Sequence, residues 1–277
     1  MQWSLETSPS SHDASLLRIR DWIHAQIGVL YADDKLDVLH TRLRSVCLRY
    51  GVNNLALLAN HLLDGPDGGW PQRIADLIVT NHTSFFREMS SYEYLRSHVF
   101  PKLSGRSIRI WSAACSTGEE TYSIAMCARA HLSPTSSLYE CRILGTDISA
   151  TAVRVAEEAS YLQGFDLLPR EYHSQVELDA ASASFRIAPN TKSLCTFRRI
   201  NLSMGRFPFT QKFSVIFCRN VLYYFDTKTQ SAILQRMYDC TEAGGWLFTS
   251  VTEPIRGLSV PWRMISPGIY CKDDGDR

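Results

Sequence analysis

Apolar positions along the chain change their period once, and that change divides it. Leu16, Ile19, Ile23 and Ile27 recur at helical spacing, with Arg18 and Arg20 off their face. After Asp33-Asp34, Leu36, Leu39, Leu43, Val46 and Tyr50 share a second stripe, and Gly51 is placed to end that helix. Shorter helical patterns cover about 54–63 and 71–79, joined by the turn-rich Asp64-Gly65-Pro66-Asp67-Gly68-Gly69. A further helix is expected from Ser91 to Val99, stopping before Pro101. Residues 15 to about 80 thus read as a small all-helical domain, behind a polar leader of about 14 residues.

Beyond Pro101 the pattern becomes strand, helix, strand. Ser107–Ala113, Cys141–Asp147 and Phe213–Cys218 are apolar runs too continuous to leave one face wet, and Gly244-Gly245 leads into a fourth, Trp246–Ser250. Helical patterns at about Glu119–Arg129, from near Ser149, and at Thr227–Cys240 alternate with them. The fold class expected is α/β, a mostly parallel sheet covered on both sides. Residues from about 161 to 200 break the rhythm. There Phe185–Ala188 and Leu194–Arg198 flank Pro189-Asn190-Thr191-Lys192 and read as an antiparallel hairpin inserted in the parallel domain.

Composition narrows the class without deciding it. The 277 residues suit one domain plus a smaller one, and 45% hydrophobic with 21% charged residues is ordinary globular composition. A balance of 29 Lys and Arg against 28 Asp and Glu gives no global pull toward nucleic acid. The start, Met1-Gln2-Trp3-Ser4-Leu5-Glu6, has no basic and apolar export pattern, and no apolar run is long enough to span a bilayer; a cytoplasmic protein without membrane insertion is expected. Eight cysteines lie without a CxxC pair, several inside apolar runs, and read as buried free thiols rather than a disulfide framework or metal site. With no heptad and no conspicuous apolar edge, a monomer is expected.

The candidate chemistry sits where strands run out. Ser112-Ala113-Ala114-Cys115-Ser116-Thr117-Gly118-Glu119-Glu120 joins a strand to a helix through small side chains that let a ligand approach the backbone. It is not GxGxxG, and Glu119 and Glu120 in the first helical turn would repel a pyrophosphate; one of them suits the ammonium of an amino-acid moiety, or both simply suit the helix N-terminus. Asp147, ending the next strand, is placed either to accept both hydroxyls of a ribose or to cap a turn. Arg219 and Asn220 follow directly on an apolar strand, at the carboxyl edge where open α/β sheets bind ligands. Asn81-His82-Thr83-Ser84-Phe85-Phe86-Arg87 sets polar donors beside two aromatics.

Five ordered segments carry a family resemblance: Asn81-x-Thr83-x-Phe85-Phe86-Arg87, Trp111–Glu120, Thr146-Asp147-Ile148, Asn201-Leu202, and Phe217-Cys218-Arg219-Asn220-Val221-Leu222-Tyr223-Tyr224-Phe225-Asp226. Together they resemble the chemotaxis receptor glutamate methyltransferases, the CheR family, from about residue 15 to 272. The resemblance implies a helical domain over 15–85 and a Rossmann-like methyltransferase domain over 86–277, with a β-subdomain inserted at about 162–200. It implies S-adenosylmethionine as cofactor, S-adenosylhomocysteine as product, and Asn81, Thr83, Arg87, Ala113, Glu119, Asp147, Asn201, Leu202, Arg219 and Asn220 as its contacts. Asp147 would take the ribose, Asn201 the adenine side and Glu119 the methionine side. The partner implied is the acidic helical methylation region of a chemoreceptor's cytoplasmic domain. Lys35, Arg42 and Arg49, with Arg44 nearby, are candidates for a basic stripe meeting it, against the plainer reading of a solvated face.

A glutamate acceptor is already ionised at neutral pH, so alignment rather than proton abstraction is the expected source of rate. Arg87 is the candidate to orient that carboxylate, and Tyr224 to donate a hydrogen bond near the transferred methyl. Two departures from the family pattern stand out. Thr121 occupies the place of a usual proline, and Ser250-Val251-Thr252-Glu253 stands where members commonly read Gly-His-Ser-Glu. A methyltransferase with another acceptor, and a non-catalytic cofactor-binding regulator, are the alternatives.

Overall fold

The structure, a computed structural model, describes residues 14–65, 69–79, 82–103, 105–132, 140–179, 181 and 183–273. The chain forms two compact units, one of residues up to 80 with Tyr224–Asp226, the other of Asn81–Tyr223 with the chain from Thr227 onward.

The first unit is helical: α1 (Ala14–Ile27), α2 (Leu36–Tyr50), α3 (Leu55–Leu63) and α4 (Trp70–Ile78). Leu16, Ile19, Ile23 and Ile27 are buried, as are Leu36, Leu39, Leu43 and Val46, so both stripes turn inward. Gly51 ends α2 at φ 67°, and the Asn54 side chain caps α3 by accepting from the Leu57 N–H. Arg42 is half-buried. Its guanidinium donates to Tyr31 Oη at 3.1 Å and to the Ile78 carbonyl, which Tyr31 Oη also meets at 2.9 Å. Tyr224–Asp226 join this unit through the Tyr224 carbonyl, which accepts from Leu30 N–H at 2.7 Å, and through Asp226, 2.7 Å from His24 Nε2.

The second unit opens with α5 (Met89–Tyr94), a π-helical stretch Leu95–Val99 and α6 (Phe100–Leu103) in one continuous run. The helix does not stop before Pro101. Proline has no N–H and clashes with the carbonyl four residues back, and the wider π-turn, in which Phe100 N–H reaches back to the Leu95 carbonyl, relieves both problems. Then follow β1 (Ile108–Ala113), α7 (Glu119–His131), β2 (Cys141–Asp147), α8 (Ala150–Glu158), β3 (Ser160–Tyr161), β4 (Val176–Asp179), β5 (Ser184–Ile187), α9 (Pro189–Lys192), β6 (Cys195–Arg199), β7 (Phe213–Cys218), α10 (Thr227–Asp239), β8 (Thr241–Phe248), β9 (Arg263–Ser266) and β10 (Ile269–Cys271). The main sheet has the order β6-β2-β1-β7-β8-β10-β9. Its first five strands are parallel, β10 runs antiparallel to β8, and β9 antiparallel to β10. This is the expected α/β class. From β1 the chain winds outward through β2 and β6, then returns to β7 on the other side of β1, which makes the carboxyl end of that pair the topological switch point. All six β7 residues are buried, which is why that strand reads as an unbroken apolar run.

The hairpin expected across Pro189–Lys192 is not formed. Ser184–Ile187 pairs instead with Val176–Asp179, placing Glu177 opposite Arg186, and with Ser160–Tyr161 in a separate three-stranded sheet. Pro189 opens the short helix α9, and Cys195–Arg199 goes to the main sheet beside β2. Burial decides the partner: Phe197 is packed against Tyr122, ring centroids 5.4 Å apart, where the bare backbone of Gly145 makes room for it. A Cβ on Gly145 would lie 2.6 Å from the Phe197 ring and 2.8 Å from Thr121 Oγ1. Gly145→Ala is therefore expected to lower the unfolding free energy by about 1–3 kcal/mol. Adding Phe197→Leu should recover part of the loss, and urea unfolding of both variants measures it.

Candidate active site

Three loops of the second unit meet at the carboxyl ends of β1, β2 and β7, and those after β1 and β7 contain left-handed backbone. After β1, Ala114, Ser116 and Gly118 take φ of 59°, 50° and 98°. A Cβ on Gly118 would lie 2.8 Å from that of Ala156, so this turn into α7 has room for glycine alone. The loop is pinned to β2: Cys115 N–H donates to the Thr146 carbonyl, and Ser116 N–H to Asp147 Oδ2, both at 2.8 Å. Asp147 Oδ1 accepts from Ser149 N–H at 2.9 Å. The buried Asp147 carboxylate is thereby oriented by backbone donors from both loops. The Asp147 carbonyl also accepts from Ile200 N–H at 2.9 Å, which brings Asn201 to the same edge.

The paired glutamates of α7 differ. Glu119 receives the Thr117 hydroxyl at 2.7 Å, and burial pushes its carboxyl above the ordinary value. Glu120 turns inward, accepting from Ser112 Oγ at 2.8 Å and meeting Arg219 Nη1 at 3.2 Å; burial still outweighs the arginine and raises it too. An ammonium beside Glu119 would restore the charge that burial opposes. Glu120 already has its cation.

Arg219 is the centre of the site. Its side chain is 1% exposed and lies 3.2 Å from the carboxylates of both Glu88 and Glu120. Nη2 also donates to the Arg87 carbonyl at 2.5 Å, and Nη1 to Tyr92 Oη at 3.4 Å. Glu88 is the more open carboxylate. Burial would raise it, but Arg219 with Ser250 and Asn220 outweighs that and holds it below the ordinary value. Asn220, at φ 56°, donates its N–H to Glu253, whose other oxygen accepts from Tyr223 N–H at 3.3 Å. Glu253 is buried, and that burial lifts its pKa despite the backbone donors.

Known proteins place this arrangement. The family model for the CheR methyltransferase, SAM binding domain, matches residues 81–267. The chain belongs to the CheR methyltransferase family. A chemotaxis protein methyltransferase of Borreliella burgdorferi is 31% identical over 270 residues, 93% of this chain and 94% of its own length. A probable chemotaxis protein methyltransferase of Rhizobium etli is 34% identical over 246 residues, covering 85% and 90%. The Escherichia coli chemotaxis protein methyltransferase is 30% identical over 262 residues, covering 93% and 90%. The family, the methyltransferase activity and the S-adenosylmethionine cofactor expected from the motifs are those found. The residues fit that cofactor. At the same edge Ser116 Oγ and Arg219 Nε are buried without a hydrogen-bond partner in the protein, polar atoms that a polar ligand would satisfy.

The remaining CheR positions are distributed as follows. Ala113 closes β1 fully buried; Leu202 is buried, its carbonyl accepting from Arg236 Nη2 at 2.6 Å. Asn201 Oδ1 accepts from the N–H and hydroxyl of Ser203, at 3.0 and 2.9 Å, so the side chain shapes the turn after β6. Thr83 is half-buried, and Arg87, also half-buried, donates Nη1 to the His82 carbonyl at 3.0 Å. Asn81 lies outside the described residues. Tyr224 is counted with the helical unit, whereas Tyr223 is 55% exposed in the methyltransferase unit. Of the basic residues of the helical unit, Lys35, Arg44 and Arg49 are exposed, but Arg42 is spent on Tyr31 and Ile78. Arg44 is turned roughly 200° from Arg42 around the helix, so the four do not make one stripe. All eight cysteines are free, and among the described residues no His/Cys/Asp/Glu group is set to hold a metal ion.

Glu88, Glu253 and Tyr92 were not singled out as site residues. Glu88 had a signal, an acid directly after Arg87, while Glu253 is 33 residues from Asn220 and nothing local announces the contact. Arg219→Met leaves two partly buried carboxylates without their cation and is expected to cost about 3 kcal/mol of unfolding free energy at neutral pH. The loss should shrink as pH falls and the two carboxyls protonate, and denaturant titrations across the acid range measure both effects.

Proposed function

We propose that this CheR-family enzyme esterifies glutamate side chains on the cytoplasmic helices of a chemoreceptor. It works as a monomer in the cytoplasm. What carries the reading is the family membership together with a strand-edge site built from carboxylates, arginine, amide and hydroxyl groups. The two thiols at this edge, Cys115 and Cys218, are pushed well above the ordinary thiol value by burial and by neighbouring carboxylates. Neither is a base or nucleophile near neutral pH. Such a site suits an acceptor that is already an anion.

S-adenosylmethionine supplies an electrophilic methyl group on a sulfonium. Asp147 would accept the ribose hydroxyls, Glu119 would face the ammonium, and Asn201 with Leu202 would lie on the adenine side. Thr83, Arg87, Ala113, Arg219 and Asn220 would complete the cofactor side, and the family pattern adds Asn81, which lies outside the described residues. With the cofactor bound, that methyl would pass to an oxygen of the acceptor carboxylate, the S–CH3 electron pair staying with the sulfur, so this chain's residues would have no proton to move. Arg87 would orient the acceptor carboxylate, Tyr224 would donate a hydrogen bond near the transferred methyl, and exclusion of water would raise the strength of each contact. Lys35 and Arg49 of the helical unit offer positive charge to an acidic receptor helix, with Arg42 between them holding α2 in place.

The test is methyl-labelled S-adenosylmethionine with cytoplasmic fragments of the source organism's chemoreceptors, read as base-labile methyl ester and mapped by mass spectrometry. Label on specific glutamates is expected, falling about a hundredfold or more in a folded Arg87→Ala variant. No transfer to the full receptor set with cofactor binding intact would overturn the receptor assignment and favour another acceptor or a cofactor-bound regulator. Separately, Asp147→Asn should weaken cofactor binding roughly ten- to a hundredfold, the worth of a hydrogen bond to a charged group. Titration calorimetry reads that change.

A further inference from the structure

We propose that Glu88 is a positioning residue for the transfer, holding the backbone of Arg87 and the side chain of Asn220 in their working geometry. The proposal rests on the assignment of Arg87 and Asn220 to the site. Arg87 lies between two residues in left-handed backbone, Phe86 at φ 52° and Glu88 at φ 57°, a conformation that persists only where the surroundings enforce it. On one side the enforcement is apolar: Phe86 stacks on Tyr172 at 4.7 Å and packs edge-on to Tyr92 at 5.2 Å, and its N–H donates to Ser123 Oγ at 3.0 Å.

On the other side it is the Glu88 carboxylate. Oε1 accepts from Ser250 Oγ at 2.8 Å and from Asn220 Nδ2 at 3.3 Å, and Oε2 lies 3.2 Å from Arg219 Nη2. The same Nη2 donates to the Arg87 carbonyl, so Arg87, Glu88 and Arg219 close a small ring that fixes where Arg87 leaves the backbone. Ser250 is itself fixed by a 2.8 Å hydroxyl contact with Thr252. Glu88 thus joins the segment carrying Arg87 to the exits of β7 and β8.

Folding does not depend on Glu88 in the same measure. Phe85 and Phe86 already bury the segment, and Glu120 alone keeps a carboxylate on Arg219. Glu88→Gln preserves shape and an acceptor for Ser250 but removes the charge that draws Arg219 Nη2 to this corner. With receptor fragments and cofactor saturating, it is expected to lower kcat about tenfold or more, with little change in KM for the fragment and only a small shift in thermal unfolding. Ser250→Ala should lower kcat less, and almost nothing further in the Glu88→Gln background, because the serine acts through Glu88. A merely structural carboxylate would move the unfolding transition and leave kcat in place. Cofactor affinity measured by calorimetry is the second readout, expected to weaken severalfold in Glu88→Gln. A wild-type enzyme that esterifies no receptor glutamate fails the acceptor assignment alone, and calorimetry then decides on Glu88. Glu88→Gln equal to wild type in kcat and in cofactor affinity, or fully additive effects of the two substitutions, would overturn the positioning role.

Discussion

A guanidinium buried to 1% exposure must be neutralised where it stands, and much of the catalytic end of this fold follows from how Arg219 is neutralised. The carboxylates that do it come from positions 88 and 120, so three segments far apart in sequence are drawn to one point. Arginine suits the task because its donors spread in a rigid planar fork: one nitrogen serves Glu120 and Tyr92, another Glu88 and the Arg87 carbonyl. A lysine would offer a point charge and lose the geometry. The cluster sits at the switch point between β1 and β7, where the sheet's winding already opens a crevice.

Neighbouring carboxylates in this crevice carry different burdens. Glu88 is stabilised as an anion by three partners from two loops, whereas Glu119, Glu120 and Glu253 are pushed toward protonation by burial. Each answers differently. Glu120 takes the arginine and Glu253 takes backbone N–H groups of the turn after β7. Glu119 has the Thr117 hydroxyl and its own backbone N–H but no cation, which leaves it responsive to an incoming one. Local sequence shows Glu119 and Glu120 as an indistinct pair, and only the fold assigns them separate work.

What was legible in the sequence follows the same physics. Phe213–Cys218 is readable to the residue because a strand buried on both faces needs an unbroken apolar run, and the stripes of α1 and α2 because a helix on a core needs one apolar face. The misreadings came where tertiary contacts override local preference. Pro189-Asn190-Thr191-Lys192 has turn chemistry, yet a core place for Phe197 beside Gly145 sends the following strand to another sheet. Pro101 should end a helix, yet a π-turn before it lets the helix continue. Arg42 keeps a seven-residue rhythm with Lys35 and Arg49, but no periodicity announces that its guanidinium is needed by a carbonyl 36 residues away.

The placement of backbone strain fits the chemistry. Among the described residues seven non-glycine positions have positive φ, and five of them, Phe86, Glu88, Ala114, Ser116 and Asn220, lie in the loops that build the site. Each such residue costs of order 1–3 kcal/mol and is held by contacts on the far side of the loop, as Ser116 is by Asp147 and Asn220 by Glu253. Methyl transfer to an ionised carboxylate needs no base to be tuned and no leaving group to be protonated. What remains to lower the barrier is in-line placement of two reactants, for which a distance error of an ångström can cost a hundredfold. A site that concentrates strain in its loops, and restrains them with buried ion pairs and backbone hydrogen bonds, is built to hold position.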